Sequence, residues 1–172
     1  MDRKFKNYDD FIQLGSIKEL EPSDKQFYLE FLEISYREDF QTSKNVLLSS
    51  PKWSIISGYY AMHNITKYYL GLKYNKKIGL PDVHEATINA SKELIKNKEI
   101  KYLIDIAISE FEEIIPVYYS LISAKKERKN LQYYSNSSKN IKEITIQKAS
   151  YFLNNITEKY IKLMELLIKN DK

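Results

Sequence analysis

Only four glycines and four prolines punctuate 172 residues. So few chain breakers cannot supply the turn that an all-β design needs every ~8–12 residues. They also exclude collagenous and linker-rich chains. Long helices joined by few loops remain. Hydrophobic residues make up 43% and charged residues 29%, a globular balance rather than a disordered one. A single domain of this size buries roughly 70% of its unfolded surface and needs no staple. Cysteine is absent, which removes disulfide scaffolds, thiolate zinc sites, iron–sulfur clusters and cysteine nucleophiles. The two histidines, His63 and His84, are too few for a histidine-rich metal site. No metal and no cofactor is expected. No apolar run approaches the ~18 residues of a membrane span, and MDRKFKNYDD lacks a signal-peptide core. The expectation is a soluble, cytoplasmic chain with no membrane partner.

The punctuation places the elements. Residues 1–22 read as an irregular or partly helical lead-in, and 23–172 as the helical domain. Ser23 with Gln26 forms a capping-box pattern that opens the first long helix. Phe27, Phe31, Ile34, Leu47 and Leu48 mark its apolar stripe, and Ser49-Ser50 its end. Pro51 restarts the chain as a first-turn proline. From Trp53 to Leu70 the chain is apolar on more than one face, as befits a central helix. Gly71 reads as its C-terminal cap, and Lys73 to Gly79 as a basic loop. Asp82 and Glu85 read as a second capping box, with Val83, Ala86, Ala90 and Leu94 following at helical spacing. A further helix runs from about Glu99 towards Arg128, with Pro116 as a kink or break. The last begins near Thr145, its stripe Ile146, Ala149, Phe152 or Leu153, Ile156, Tyr160, Leu163 or Met164, and Leu167. No strand pattern and no repeat appears. The fold expected is all-α, an up-and-down helical bundle of about five helices with mostly antiparallel neighbours.

Several groups are candidates for chemistry. Tyr59 and His63 stand four apart and share a helix face, with Tyr60 adjacent. They form either a functional polar cluster or a buried tyrosine and histidine satisfied by neighbours. His84, in the first turn of a helix, is placed either for phosphate binding or for neutral packing, since a positive helix end disfavours its proton. Glu110, Glu112 and Glu113 are dense enough for a cation, yet fit a solvated helix face better. Lys125, Lys126, Arg128 and Lys129, with Gln132, Tyr133 and Tyr134, mix cations and aromatics as phosphate contacts and base stacking require. Cations favouring a helix C-terminus explain the same pattern. Charge is unevenly spread: residues 1–40 carry 6 basic and 10 acidic side chains, residues 120–172 carry 11 and 5. The basic end suits an anionic partner such as RNA, or is a solvated lysine-rich surface. No glycine-rich phosphate loop, Rossmann fingerprint or G-x-S-x-G elbow occurs.

Taken in order, these motifs resemble a known family. Trp53 to Leu70, with Tyr59-Tyr60-Ala61-Met62 and Lys67, resembles the central helix of HEPN-domain proteins (higher eukaryotes and prokaryotes nucleotide-binding). Pro81-x-x-His84 resembles the entry to their next helix. Arg128-Lys129-x-x-Gln132-Tyr133 resembles the R-x-x-x-[D/Q]-Y segment of an uncharacterised prokaryotic branch. The likeness spans roughly residues 25–168. It implies a HEPN-like bundle, commonly a homodimer. It further implies RNA or a nucleotide as ligand, or a nucleotidyltransferase partner as in toxin–antitoxin systems. Many members are metal-independent ribonucleases whose motif is an arginine, four to six intervening residues, and then a histidine.

Here Arg128 matches the arginine, but Tyr133, Tyr134 and Ser135 stand where the histidine is sought. A tyrosine of pKa ~10 is a poor base at neutral pH. On a continuous helix Arg128 and Tyr133 are also about 140° apart, whereas Arg128 and Gln132 share a face. The resemblance therefore implies a non-catalytic or regulatory binding module, with Lys125, Lys126, Arg128, Lys129 and Gln132 as RNA or nucleotide contacts. One alternative is an endoribonuclease that uses Arg128 with Tyr133 or Tyr134. Another is a purely structural helical dimer, whose interface would absorb many of the fifteen tyrosines.

Overall fold

A computed structural model describes residues 7–112 and 145–170. Within these the chain is an all-α bundle carrying one minimal sheet. In order, the elements are α1 (Tyr8–Gln13), β1 (Ile17–Glu19), α2 (Pro22–Asn45), α3 (Pro51–Tyr74), β2 (Lys76–Ile78), α4 (Val83–Leu94), α5 (Lys98–Glu112) and α6 (146–170). The helical class and the bundle follow the sequence reading, with six helices described where about five were expected.

α3 is the axis of the bundle. It begins on Pro51, whose missing N–H costs nothing in a first turn. Thirteen of its residues are buried, among them Ile55, Tyr59, Met62, His63, Ile65 and Tyr69. α2 lies antiparallel along it. The contacts that fix this direction run in opposite order on the two helices: Ser54 Oγ donates to the Ser43 carbonyl at 2.7 Å, Asn64 to Asp39 at 2.9 Å, and Lys25 reaches Asn75 at 3.2 Å.

The face α2 turns inward is not the one expected. Leu32 and Tyr36 are buried, with Tyr28, Leu29 and Phe40 packed beside them. Phe27, Phe31, Ile34 and Leu48 are 77%, 57%, 57% and 75% exposed. Two apolar stripes run along this helix. The tyrosine stripe goes inside because its hydroxyls find partners there, such as Glu165 for Tyr36 at 3.3 Å and the Ile78 amide for Tyr28 at 3.1 Å.

Three helix-end expectations are corrected. Pro22 takes the first helical position of α2, so Glu21 is the cap and Ser23 lies inside the first turn; Gln26 bonds Glu30 at 2.9 Å instead of closing a capping box. Asp82 caps α4 in a left-handed conformation without a side-chain capping bond. Gly71 does not end α3, which continues to Tyr74 and stops at left-handed Asn75. The Asn75 amide group donates to the Leu20 carbonyl at 3.1 Å.

Gly71 has a packing role: a Cβ there would sit 3.0 Å from Leu29, so its absence lets α2 approach. Gly58 does the same for α6. Its Cβ would lie 2.8 Å from the Thr157 hydroxyl oxygen and 3.3 Å from the Phe152 ring. Overpacking at such a site costs about 1–3 kcal/mol, more than alanine's better helix propensity returns. Gly58→Ala is therefore expected to lower the urea midpoint, whereas Gly79→Ala, with nothing nearby, leaves it unchanged.

The expectation of no strand is overturned. β1 pairs antiparallel with β2, in the register Ile17↔Ile78, Lys18↔Lys77 and Glu19↔Lys76. Three-residue strands are too short to show alternation, and the partners lie far apart in sequence. Phe11, Ile17, Leu70, Ile78, Ala86 and Ala90 form a second small core, so the described part of the lead-in packs on β2 and α4.

α6 opens with Thr145, which accepts from the Lys148 amide at 3.2 Å. It passes from α-helix (Ile146–Tyr151) through a π-helical stretch (Phe152–Thr157) back to α-helix (Glu158–Asn170). The wider π turn buries Phe152 and Leu153 together and brings Tyr160 and Met164 to full burial.

Candidate functional site

α3 and α4 bring four of the expected site residues together. On α3, positions 59, 63 and 66 share one face and positions 60, 63 and 67 an adjoining one. His84 sits in the first turn of α4, across from them. The His63 and His84 rings are 4.5 Å apart between centroids. Tyr59 stacks on His84 at 5.8 Å and on His63 at 6.4 Å, and Tyr60 meets His84 edge-on at 5.6 Å. Tyr59 and His63 are buried, His84 is half-buried, and Tyr60, 36% exposed, forms the rim rather than the core.

A hydrogen-bond chain fixes the protonation pattern. The Thr87 hydroxyl donates to the Val83 carbonyl at 2.7 Å, so its oxygen accepts from His63 Nε2–H at 3.0 Å. That assigns the neutral, Nε2-protonated tautomer. Burial, with His84 and Lys67 adding like charge, pushes the His63 pKa down to about 3. Burial and Lys67 also lower His84. Burial alone lowers Lys67. Below the histidines, Thr66 donates to the Met62 carbonyl at 2.7 Å, so Tyr160 donates to Thr66 at 2.6 Å. Tyr59, His63, Thr66, Thr87 and Tyr160 line a cavity of about 30 Å³. That is room for a water or two, not for a nucleotide.

This arrangement holds rings and hydroxyls in place. At neutral pH the buried His63 imidazole is uncharged, its pKa lowered by burial and by the like charge of His84 and Lys67. Among the described residues no group of three or more His, Asp or Glu side chains is placed to hold a metal ion. Glu110 pairs with Lys148 at 2.9 Å and joins α5 to α6.

The remaining expected site residues, Lys125, Lys126, Arg128, Lys129, Gln132, Tyr133 and Tyr134, lie outside the described residues, as do Glu113 and Pro116. Thr66, Thr87 and Tyr160 were not anticipated. Thr66 continues the Tyr59–His63 face by one more turn, which was a readable signal, but its partner Tyr160 is on another helix. Lys67 lies one turn beyond His63 on the adjoining face of α3. Among the described residues no helix is long and apolar enough to cross a membrane. Compared with protein-family models, curated proteins and solved structures, the chain matches none.

Proposed function

We propose that this chain is a non-catalytic, HEPN-like binding module for RNA or a nucleotide, acting as a homodimer. The supporting observation is the state of its histidines. Acid–base cleavage at neutral pH needs a group titrating near 7. His63 is neutral, buried and bonded to Thr87, and His84 is lowered as well. The sequence also offers no histidine after Arg128. The excess of basic residues at 120–172 suits a polyanion.

Retention of a labelled single-stranded RNA on a filter tests the binding half. Retention is expected to fall steeply with salt, and again when Lys125, Lys126 and Arg128 are changed to Gln together. Absence of retention at low salt refutes RNA as the ligand and shifts the search to a nucleotidyltransferase-type protein.

The homodimer draws its support from the exposed stripe Phe27, Phe31 and Ile34 on α2, contiguous apolar surface of the kind that marks interaction sites. Light scattering is expected to give twice the 20.4 kDa chain mass, and Phe31→Asp to return it to one chain. A wild-type mass of one chain refutes the dimer.

A further inference from the structure

An exposed aromatic on a helix gives up side-chain freedom and returns little to the core. α5 and α6 each carry one. Tyr102 is 63% exposed and Tyr151 56%. Unlike Phe27 and Phe31, which run with Ile34 in an apolar stripe, these two stand among charges.

Two ion pairs fix how the helices lie. Lys159 of α6 reaches Glu99 of α5 at 3.8 Å, and Lys148 reaches Glu110 at 2.9 Å. The order is opposite on the two helices, so they run antiparallel. Tyr102 follows Glu99 by one helical turn, and Tyr151 follows Lys148 by one, so each shares a helix face with a bridging residue. Both tyrosines therefore flank the seam between α5 and α6, on its solvent side. In the register of the two pairs, Tyr102 is level with Ile156 and Tyr151 with Ala107. The two positions are thus about five residues, or roughly 7 Å, apart along the seam. That is twice the ~3.4 Å rise of a stacked strand, so the rings are spaced for different bases rather than for one. Lysines stand within a turn of both tyrosines. Lys98 is exposed one turn before Tyr102. Lys159 is 60% exposed and its partner Glu99 53%. Exposed pairs of this kind are weak, which leaves the ammonium able to turn to a phosphate.

We infer that the α5–α6 seam is a stacking platform for single-stranded RNA, with Tyr102 and Tyr151 each taking the face of one base and Lys98 and Lys159 the backbone. Every base has a π-face, so such a platform reads strandedness and not sequence. A duplex keeps its bases stacked on one another and offers neither tyrosine a face. The inference rests on the binding-module reading and gives that module a surface and a class of RNA.

Filter retention of a short labelled oligouridylate by the full chain at low salt tests this, beside a ribose-phosphate chain of the same length without bases. Changing Tyr102 and Tyr151 together to alanine is expected to weaken oligouridylate retention at least about tenfold, the scale of a lost base stack. The base-free chain is expected to be held equally by both proteins. Alanine suits exposed helix positions, so the variant keeps its fold. Phenylalanine at both positions keeps the rings and is expected to hold affinity within about twofold.

Undiminished oligouridylate retention by the alanine variant overturns the platform and leaves the binding module standing. An equal loss on the base-free chain also overturns it, because the tyrosines would then act on the backbone and not on bases. So does a phenylalanine variant as weak as the alanine one, which would assign the effect to the hydroxyls. A wild-type chain that retains neither probe refutes the module and the platform together.

Discussion

Tyr160→Ala is expected to lower the unfolding free energy by about 3–5 kcal/mol, the range for removing a large buried aromatic. Tyr160 is fully buried and lies where α3, α6 and the histidine cluster meet. Its ring fills the core below Tyr59 and His63, and its hydroxyl ends the chain through Thr66 to the Met62 carbonyl. Tyr160→Phe separates the two contributions. Thr66 keeps its donor bond to Met62 in that variant and loses only the proton it accepts, so the cost falls to about 1 kcal/mol. Urea denaturation of both variants checks this. Equal losses would mean that the hydroxyl, not the ring, holds the cluster.

Acid is expected to destabilise the chain earlier than its carboxylates alone require. His63 titrates at about 3 folded against 6.5 as an ordinary histidine. The unfolded chain therefore binds a proton that the folded chain refuses. The stability this contributes is complete above pH 6.5 and is lost progressively as the pH falls towards 3. At 1.36 kcal/mol per unit, the loss between pH 6.5 and roughly pH 4.5 is about 2–3 kcal/mol. His84, lowered in the same direction, adds to it. Most carboxylates stay ionised across that window, so the slope reads the histidines. His63→Gln should remove most of it while leaving stability at neutral pH less affected. Denaturation curves at stepped pH decide this, and a flat wild-type profile over that window would show that His63 is not held neutral.

How much was readable from the sequence depended on whether one helix carried the signal. α3 is apolar on several faces and α6 has a clean stripe, so both were legible, as were the helix starts at Pro51 and near Thr145. α2 was misread because Phe27-Phe31-Ile34 and Tyr28-Leu32-Tyr36 are equally good stripes. The choice lies with partners on other elements, Glu165 and Ile78, that periodicity cannot see. Gly71 looked like a cap because glycine ends helices cheaply, but its missing Cβ serves the approach of Leu29 instead. The Ser23 box failed because Pro22 moved the helix start by one residue. Tyr59 and His63 were found from their spacing. Their meeting with His84 and Thr87 joins α3 to α4, a contact between two helices that spacing along one of them cannot show.

We propose that this bundle holds an anionic ligand without cleaving it. A mixed-sequence, 5′-labelled RNA incubated in EDTA with the wild-type chain, beside Arg128→Ala, tests that most directly. Full-length RNA recovered from a salt-sensitive complex with the wild type is the predicted result. Shortened RNA with the wild type, and intact RNA with Arg128→Ala, would contradict it.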